Sequence, residues 1–452
     1  MLNKFIQKLN NKHFLSLAGN GIMAILSMIT IAILCRVISI AAFGTWVFFQ
    51  STLLLIDTFR SGFLTTAFIK FYAGSSRERS DDVLGSTWFI AIAITLVISL
   101  LNFPALFFIH TIKDPGLHLF FQWFGISFWV MLPYFIGTCV VQAEQRFDRL
   151  LLLRLINQGV FIICILALIF TKRISLETVL YAYLASFAVP GIFLLINKWV
   201  RIHTFQKRTS ATIKELYHFG KFSVGTTFSA NLFRTSDSFI INFLLGPAAL
   251  AIYNIGQRLM EIVEIPLRSF AATGMPELAA AYNQDKRQEV IDIMKKYAGM
   301  LTMVLIPAGI IAVIFADLAI GIIGGGKYLG TEAANVFRLF MTFALLYPCD
   351  RFLALTIDVI HQPKINFIKV LVMLAANIIF DLLGVAVFKN IYGVALATVV
   401  PTIIGVAVGY WALNRYMPFK FTSIFSTGYK ETLALIENGK KQFRLKYKST
   451  TT

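Results

Sequence analysis

Two octapeptides decide how this chain is built: FGTWVFFQ at Phe43–Gln50 and LAIYNIGQ at Leu250–Gln257. Laid over each other at an offset of 207, they match Trp46 with Tyr253 and Gln50 with Gln257. Two helical turns further on, Asp57 falls on Glu264, and Arg60 comes one residue short of Arg268. A second pair of blocks follows in the same order. YAYLASFAVP (Tyr181–Pro190) lies on YGVALATVVP (Tyr392–Pro401) at an offset of 211. Two ordered matches at nearly one offset describe a chain made of two similar halves.

The halves are built for lipid. Of 452 residues, 57% are hydrophobic and only 14% are charged, against roughly 25% charged in a soluble domain. So few charges cannot cover the surface of a soluble protein this long, which excludes a soluble enzyme, a disordered chain and a secreted disulfide scaffold. A spanning helix needs about 20 apolar residues. Twelve segments qualify: 14–37, 41–70, 83–109, 118–142, 150–170, 177–199, 217–245, 248–275, 291–316, 331–357, 364–388 and 390–413. The expected fold is an all-α polytopic membrane protein with twelve transmembrane helices in two six-helix lobes. Six is even, so the lobes are parallel repeats related by a pseudo-two-fold axis along the membrane normal, and a substrate site is expected between them. The boundaries read as 1–205 (helices 1–6), 206–413 (helices 7–12) and a basic tail, 414–452.

The formal charge is +18. With the N-terminus in the cytoplasm, about 26 Lys and Arg fall on the cytoplasmic side, in loops such as 198–214 and in the tail, and about six on the other side. The six are Arg36, Lys113, Lys172, Arg173, Lys327 and Lys389. This split puts both termini inside and accounts for most of the positive charge, so no nucleic-acid partner is needed. The start, MLNKFIQKLNNKHF, is basic and amphipathic, and no cleavable signal peptide is read there.

Polar residues inside the spans are the informative ones, because a charge at mid-membrane costs about 2.5–3.5 kcal/mol and normally faces a bundle interior or water. The eighth span carries Asn254, Gln257, Arg258, Glu261, Glu264 and Arg268 on one helical stripe. The second carries Gln50, Asp57, Arg60 and Ser61, the seventh Lys221, Thr227, Asn231, Arg234 and Asp237, and the first Asn20, Ser27 and Thr30. These are the first two helices of each half, where a central path would be lined. Four pairs stand at helical contact spacing and could neutralise each other: Asp57–Arg60, Arg234–Asp237, Arg258–Glu261 and Glu264–Arg268.

No other chemistry competes. Cys35, Cys139, Cys164 and Cys349 lie in apolar runs without a CxxC, so no metal site is expected. The run from Gly321 to Lys327 fits GxxxxGK, but Tyr328 stands where a phosphate loop needs Ser or Thr, and no strand precedes it. It reads as an extracytoplasmic turn, and no cofactor is expected.

The two lobes, the FGTWVFFQS start of the second helix and GGGKYLGTEAANVFRLF before the tenth resemble the polysaccharide and O-antigen flippases of the multidrug/oligosaccharidyl-lipid/polysaccharide exporter superfamily. The likeness extends over about 1–415. It implies a non-enzymatic flippase of the bacterial inner membrane that moves a polyprenyl-pyrophosphate-linked oligosaccharide to the outer leaflet for O-antigen or capsule export. It also implies a cationic cavity, here Arg60, Arg234, Arg258 and Arg268, with Asp57, Asp237, Glu261 and Glu264 interleaved. Arginine forks suit phosphate oxygens. Asn20, Gln50, Asn254, Gln257, Trp46 and Tyr253 would serve the sugars. Asp57, Asp237, Glu261, Glu264 and Asp381 are the candidates for ion coupling. Membrane lipids, a polysaccharide polymerase and glycosyltransferases are the partners to consider, and a monomer is the expected state. The alternative is a drug or cation antiporter of the same superfamily, which the interior arginines disfavour. A lipid-linked glycosyltransferase would need a larger outer loop than the chain has. In the tail, Phe421, Ile424, Phe425, Leu433 and Ile436 recur at helical spacing before GKKQFRLKYK, so an amphipathic anchor on the inner leaflet is expected.

Overall fold

A computed structural model describes the backbone of residues 12–448; the side chains of 12–18, 20, 435, 436 and 438–448 lie outside that description. Every expected span is helical. The first six are α1 (Lys12–Val37), α2 (Ile40–Tyr72), α3 (Arg77–Phe107), α4 (Pro115–Ala143), α5 (Phe147–Phe170) and α6 (Leu176–Ile196). The chain continues as α7 (Ser210–Leu245), α8 (Pro247–Leu259), α9 (Glu261–Asn283), α10 (Arg287–Ile314) and α11 (Ala316–Gly324). It ends with α12 (Ala333–Phe343), α13 (Tyr347–Val359), α14 (Pro363–Phe388), α15 (Ile391–Ala397), α16 (Val399–Tyr416) and α17 (Ser423–Lys448). The protein is a polytopic all-α membrane protein. Among the described residues, nine helical stretches are long and apolar enough to cross a membrane. The α7 and α8–α9 segments fall short of that hydropathy because they carry the polar stripes.

Side chains fix where helices begin. Ser39, Ser76, Asp114 and Thr209 each accept the N–H three residues on, capping α2, α3, α4 and α7, and Ser175 with Thr178 forms a capping box on α6. Three expected spans are interrupted. The tenth breaks at Ala344–Leu346 and the twelfth at Thr398, where Pro348 and Pro401 have no N–H to offer Ala344 and Ala397. The eighth breaks at Met260 through a tighter 3₁₀ step, with Pro266 following in α9.

Helix ends repeat a different device. Gln145, Lys172, Lys198, Asp285 and His361 all adopt left-handed φ of 53–60°. The next residue then returns its N–H to the carbonyl five back, as Arg146 to Val141 at 3.0 Å and Gln362 to Ile357 at 3.1 Å. The repeat is visible here too. Left-handed residues close the second and eighth spans (Gly74, Asp285), the fourth and tenth (Gln145, His361), and the fifth and eleventh (Lys172, Lys389).

Two compact units result, one reaching Asn254 and taking in Ile322–Tyr328, the other formed by Ile255–Gly321 and the chain from Leu329. The first unit takes in α7, which packs lengthwise along α2. The first unit's core gathers Leu64, Phe68, Leu84, Trp88, Ile136 and Leu194. The segment 197–209 is not slack. Trp88 Nε1 donates to Val200 O at 2.9 Å, and Asp81 accepts from Arg201 at 2.6 Å and Lys207 at 2.7 Å. The second unit's core gathers Leu278, Met294, Leu301, Phe352, Leu413 and Ile424. Lys369 is buried in this unit against Asp350 at 2.7 Å. Leu100, Leu101 and Phe107 of α3 and Ile163 and Phe170 of α5 are exposed, the lipid-facing sides of their spans.

The tail corrects an expectation. Phe421, Ile424 and Phe425 face the second core instead of the membrane surface, and Ile424 is fully buried. α17 docks on α10 where Gly299 and Gly428 meet backbone to backbone. A Cβ on Gly428 would stand 2.2 Å from Gly299 C. Leu433 is exposed, while the side chains of Ile436 and of the basic run Gly439–Lys448 lie outside the described set. Overpacking costs about 1–3 kcal/mol, and cleavage follows the opened population. Gly428→Val should therefore raise the rate of trypsin cleavage after Lys430 about tenfold or more. An unchanged rate would mean that the contact is not needed for docking.

Candidate substrate path

α7 carries exposed positive charge without a counter-charge among the described residues. This helix runs antiparallel to α2 and meets it along its length. Phe48 packs edge-on against Phe239 and Phe243, both at 5.4 Å. Asn231 donates to Thr58 Oγ1 at 2.7 Å. A Cβ on Gly220 would stand 2.7 Å from the Phe63 ring. Beyond the end of α2, Arg79 donates to Thr212 Oγ1 at 2.6 Å and pairs with Glu215. The sides of α7 turned away from α2 stay open, with Lys214, His218, Lys221, Gly225, Thr226, Ala230 and Arg234 all exposed. At 1.5 Å per residue, Lys221 and Arg234 stand about 20 Å apart along the axis.

The four expected arginines separate into two kinds. Arg60 is 1% exposed. It pairs with Asp57 at 2.6 Å, donates to Phe128 O at 3.0 Å, and lies 4.9 Å from the ring centres of both Phe128 and Phe135. Arg258 pairs with Glu261 at 2.9 Å, and Arg268 pairs with Glu264 at the exposed side of α9. Three of the four spacings thus give the ion pairs they allow. The fourth does not. Asp237, on the buried side of α7, accepts the Tyr253 hydroxyl at 2.5 Å. Arg234 is turned outward, with no hydrogen bond or ion pair among the described residues.

The expected sugar contacts also divide. Trp46 is 2% exposed. It stacks on Phe49 and Phe161 and meets Tyr183 edge-on at 5.1 Å, so its faces are already occupied. Tyr253 and Asn254 are buried on α8. Gln50 and Gln257 are half-buried, without side-chain hydrogen bonds among the described residues. Asn20 lies on α1, but its side chain is outside the described set. Asp381 is fully buried in α14 and accepts Asn377 Nδ2 at 2.9 Å.

Gln50, Asp57, Arg60, Arg234, Asp237 and Tyr253 belong to the first unit, but the structure does not gather them into one site. The second holds Gln257, Arg258, Glu261, Glu264, Arg268 and Asp381. A further polar patch escaped the sequence reading. α5 carries Arg154, Asn157 and Gln158, with Asn157 donating to Ser186 O at 2.8 Å and Gln158 to Thr30 Oγ1 at 2.5 Å. Its signal was the same one used elsewhere, polar residues three and one apart in an apolar span. Among the described residues, no cluster of three His, Cys, Asp or Glu could hold a metal.

A family model described as polysaccharide biosynthesis protein matches residues 9–277. The probable low-salt glycan biosynthesis flippase Agl15 of Haloferax volcanii is 20% identical over 255 residues, 56% of this chain and 52% of that protein. The chain therefore spans about half the length of this curated relative. An inward-facing multidrug resistance MATE transporter of the MOP superfamily superposes with a TM-score of 0.72 at 15% identity, over 87% of this chain and 95% of that one. The lipid II flippase MurJ, in an inward closed conformation, gives 0.72 at 16% identity over 93% and 91%. Identities this low establish a shared fold and nothing finer.

Proposed function

Because the chain belongs to the polysaccharide biosynthesis protein family, we propose that it is a flippase, not an enzyme, and carries a polyprenyl-pyrophosphate-linked oligosaccharide across the bacterial inner membrane by alternating access. The carrying observation is Arg234, an exposed cation without a counter-charge on the open face of a spanning helix. A pyrophosphate is a concentrated anion and an arginine fork matches its oxygens. Lys221 is a second exposed cation on α7, about 20 Å from Arg234 along the axis but on a different side of the helix. Gln50 and Gln257 have hydrogen-bonding capacity left for sugars. A topology with both termini inside fits the charge distribution; the cargo would be O-antigen or capsule units, carried by a monomer. Asp237 and Asp381 remain the coupling candidates. Asp57, Glu261 and Glu264 are each held by an arginine, which leaves little on these stripes for a cationic drug and argues against the antiporter reading.

Hydrogen bonds to charged groups contribute about 1.5–3 kcal/mol. Arg234→Ala should accordingly cut glycan export in a flippase-deficient strain by about 10- to 100-fold at unchanged protein level. Arg268→Ala, which removes an exposed and already paired charge, should change export little. Equal export by both variants would reject Arg234 as the anion contact.

A further inference from the structure

The GGGKY run that imitates a phosphate loop has a different task. The chain leaves the second unit at Gly321, belongs to the first unit from Ile322 to Tyr328, and returns to the second at Leu329. Within those seven residues it caps a helix and is capped in turn. Lys327 Nζ donates to Arg36 O at 2.8 Å and to Ile38 O at 2.9 Å, taking up free carbonyls at the C-terminal end of α1. A cation belongs at that end on electrostatic grounds. In return, Arg36 Nη2 donates to Ile322 O at 2.6 Å, a carbonyl of the last turn of α11. Tyr328 is 1% exposed and its hydroxyl meets the thiol of Cys35, which is fully buried.

Glycine is required at the centre of this contact. Gly325 has φ +70°, and a Cβ there would stand 3.0 Å from Arg36 Cγ. A Cβ on Gly324 would stand 2.7 Å from Tyr328 Cβ. The flanks are looser. Gly330 has φ +79° with nothing within 4 Å, and Gly321 is bordered only by the flexible end of Leu329.

We propose that Ile322–Tyr328 is a fixed anchor, seated on the end of α1 throughout the transport cycle, with Arg36, Lys327 and Tyr328 as its positioning residues. The chain on either side swivels at Gly321 and Gly330. Two reciprocal caps and a buried tyrosine suit a permanent seat, whereas a contact made and broken each cycle would have to desolvate and resolvate the tyrosine every time. The inference rests on the transporter reading only in taking the protein to change conformation, and its test needs no substrate.

Double electron–electron resonance between spin labels tests it, in a full chain carrying Cys164→Ser, the other cysteines being buried. One pair joins Lys113→Cys to Gly326→Cys, a position open enough for a label. The other joins Lys113→Cys to Lys389→Cys. Proteoliposomes are measured at acid and neutral pH, with and without sodium, to find conditions that shift the second distance. The anchor predicts one narrow Lys113–Gly326 distribution under all of these conditions. Lys327→Ala should at least double its width, and Lys327→Arg, which can still reach both carbonyls, should restore it. A Lys113–Gly326 distance that moves in step with the second pair would overturn the proposal and make the segment a releasable latch. A distribution that stays narrow in Lys327→Ala would overturn the role of Lys327. The two unmutated-anchor pairs decide the main point even if Lys327→Ala does not fold. Loss of glycan export plays no part in the readout, so failure here and failure of the flippase reading remain separate results.

Discussion

Arg60→Ala should destabilise the protein by about 3–5 kcal/mol, the cost of leaving one buried charge without its partner. Asp57 would be left with nothing to neutralise it, since Arg60 supplies its 2.6 Å ion pair, and the contacts of Arg60 with Phe128 O and with the Phe128 and Phe135 rings would go as well. The loss should be read as the fraction of detergent-extracted protein that survives a heat step. Arg268→Ala is the control. Its pair is exposed on α9, and such pairs contribute about 0–1 kcal/mol. Replacing both partners by apolar residues, Asp57→Leu with Arg60→Met, should recover much of the stability, because well-packed apolar side chains often equal a buried ion pair. If Arg60→Ala were as heat-resistant as Arg268→Ala, Arg60 would return to the list of substrate contacts.

Gly44→Val should prevent folded protein from accumulating. A Cβ at residue 44 would lie 1.7 Å from Pro247 O, and neither partner can swing away, since both are backbone atoms. Overpacking usually costs about 1–3 kcal/mol and sometimes more; a collision with a carbonyl at the joint between α7 and α8 belongs at the upper end. Even Gly44→Ala should reduce the monodisperse peak in size-exclusion chromatography. Gly21→Ala is the matched control. Nothing lies within 4 Å of its Cβ, and removing a helix-interior glycine should gain up to about 1 kcal/mol. Normal yield of Gly44→Ala would mean that α2 and α8 can separate there at little cost.

The spans were legible because hydropathy alone marks a stretch long enough to cross lipid. Charge pairs were legible where partners stand about one helical turn apart in the same span. Asp57–Arg60, Arg258–Glu261 and Glu264–Arg268 needed only their spacing. Arg234–Asp237 had the same spacing but not the pair, because Tyr253 sits sixteen residues on and no local rule brings its hydroxyl to Asp237. Trp46 matched Tyr253 in the repeat and looked like a sugar platform, yet both are buried. An aromatic in a span has the same signature whether it faces a cavity or three other rings. The tail misled for a related reason. Phe421, Ile424 and Phe425 have the spacing of an interfacial helix, and only the glycine-to-glycine approach of Gly428 to Gly299 shows that their apolar face is already covered. Packing between distant segments leaves little trace in local periodicity.

That last contact also sets a timetable. α10 ends at Ile314 and α17 starts at Ser423, so the ribosome makes the slot for Ile424 about a hundred residues before it makes the residue that fills it. At roughly 5–20 residues per second, the nascent second half waits on the order of 5–20 seconds with the Gly299 face of α10 uncovered. During that interval the newborn chain offers a groove that the finished protein has closed, and a membrane chaperone or quality-control protease would find its opportunity there.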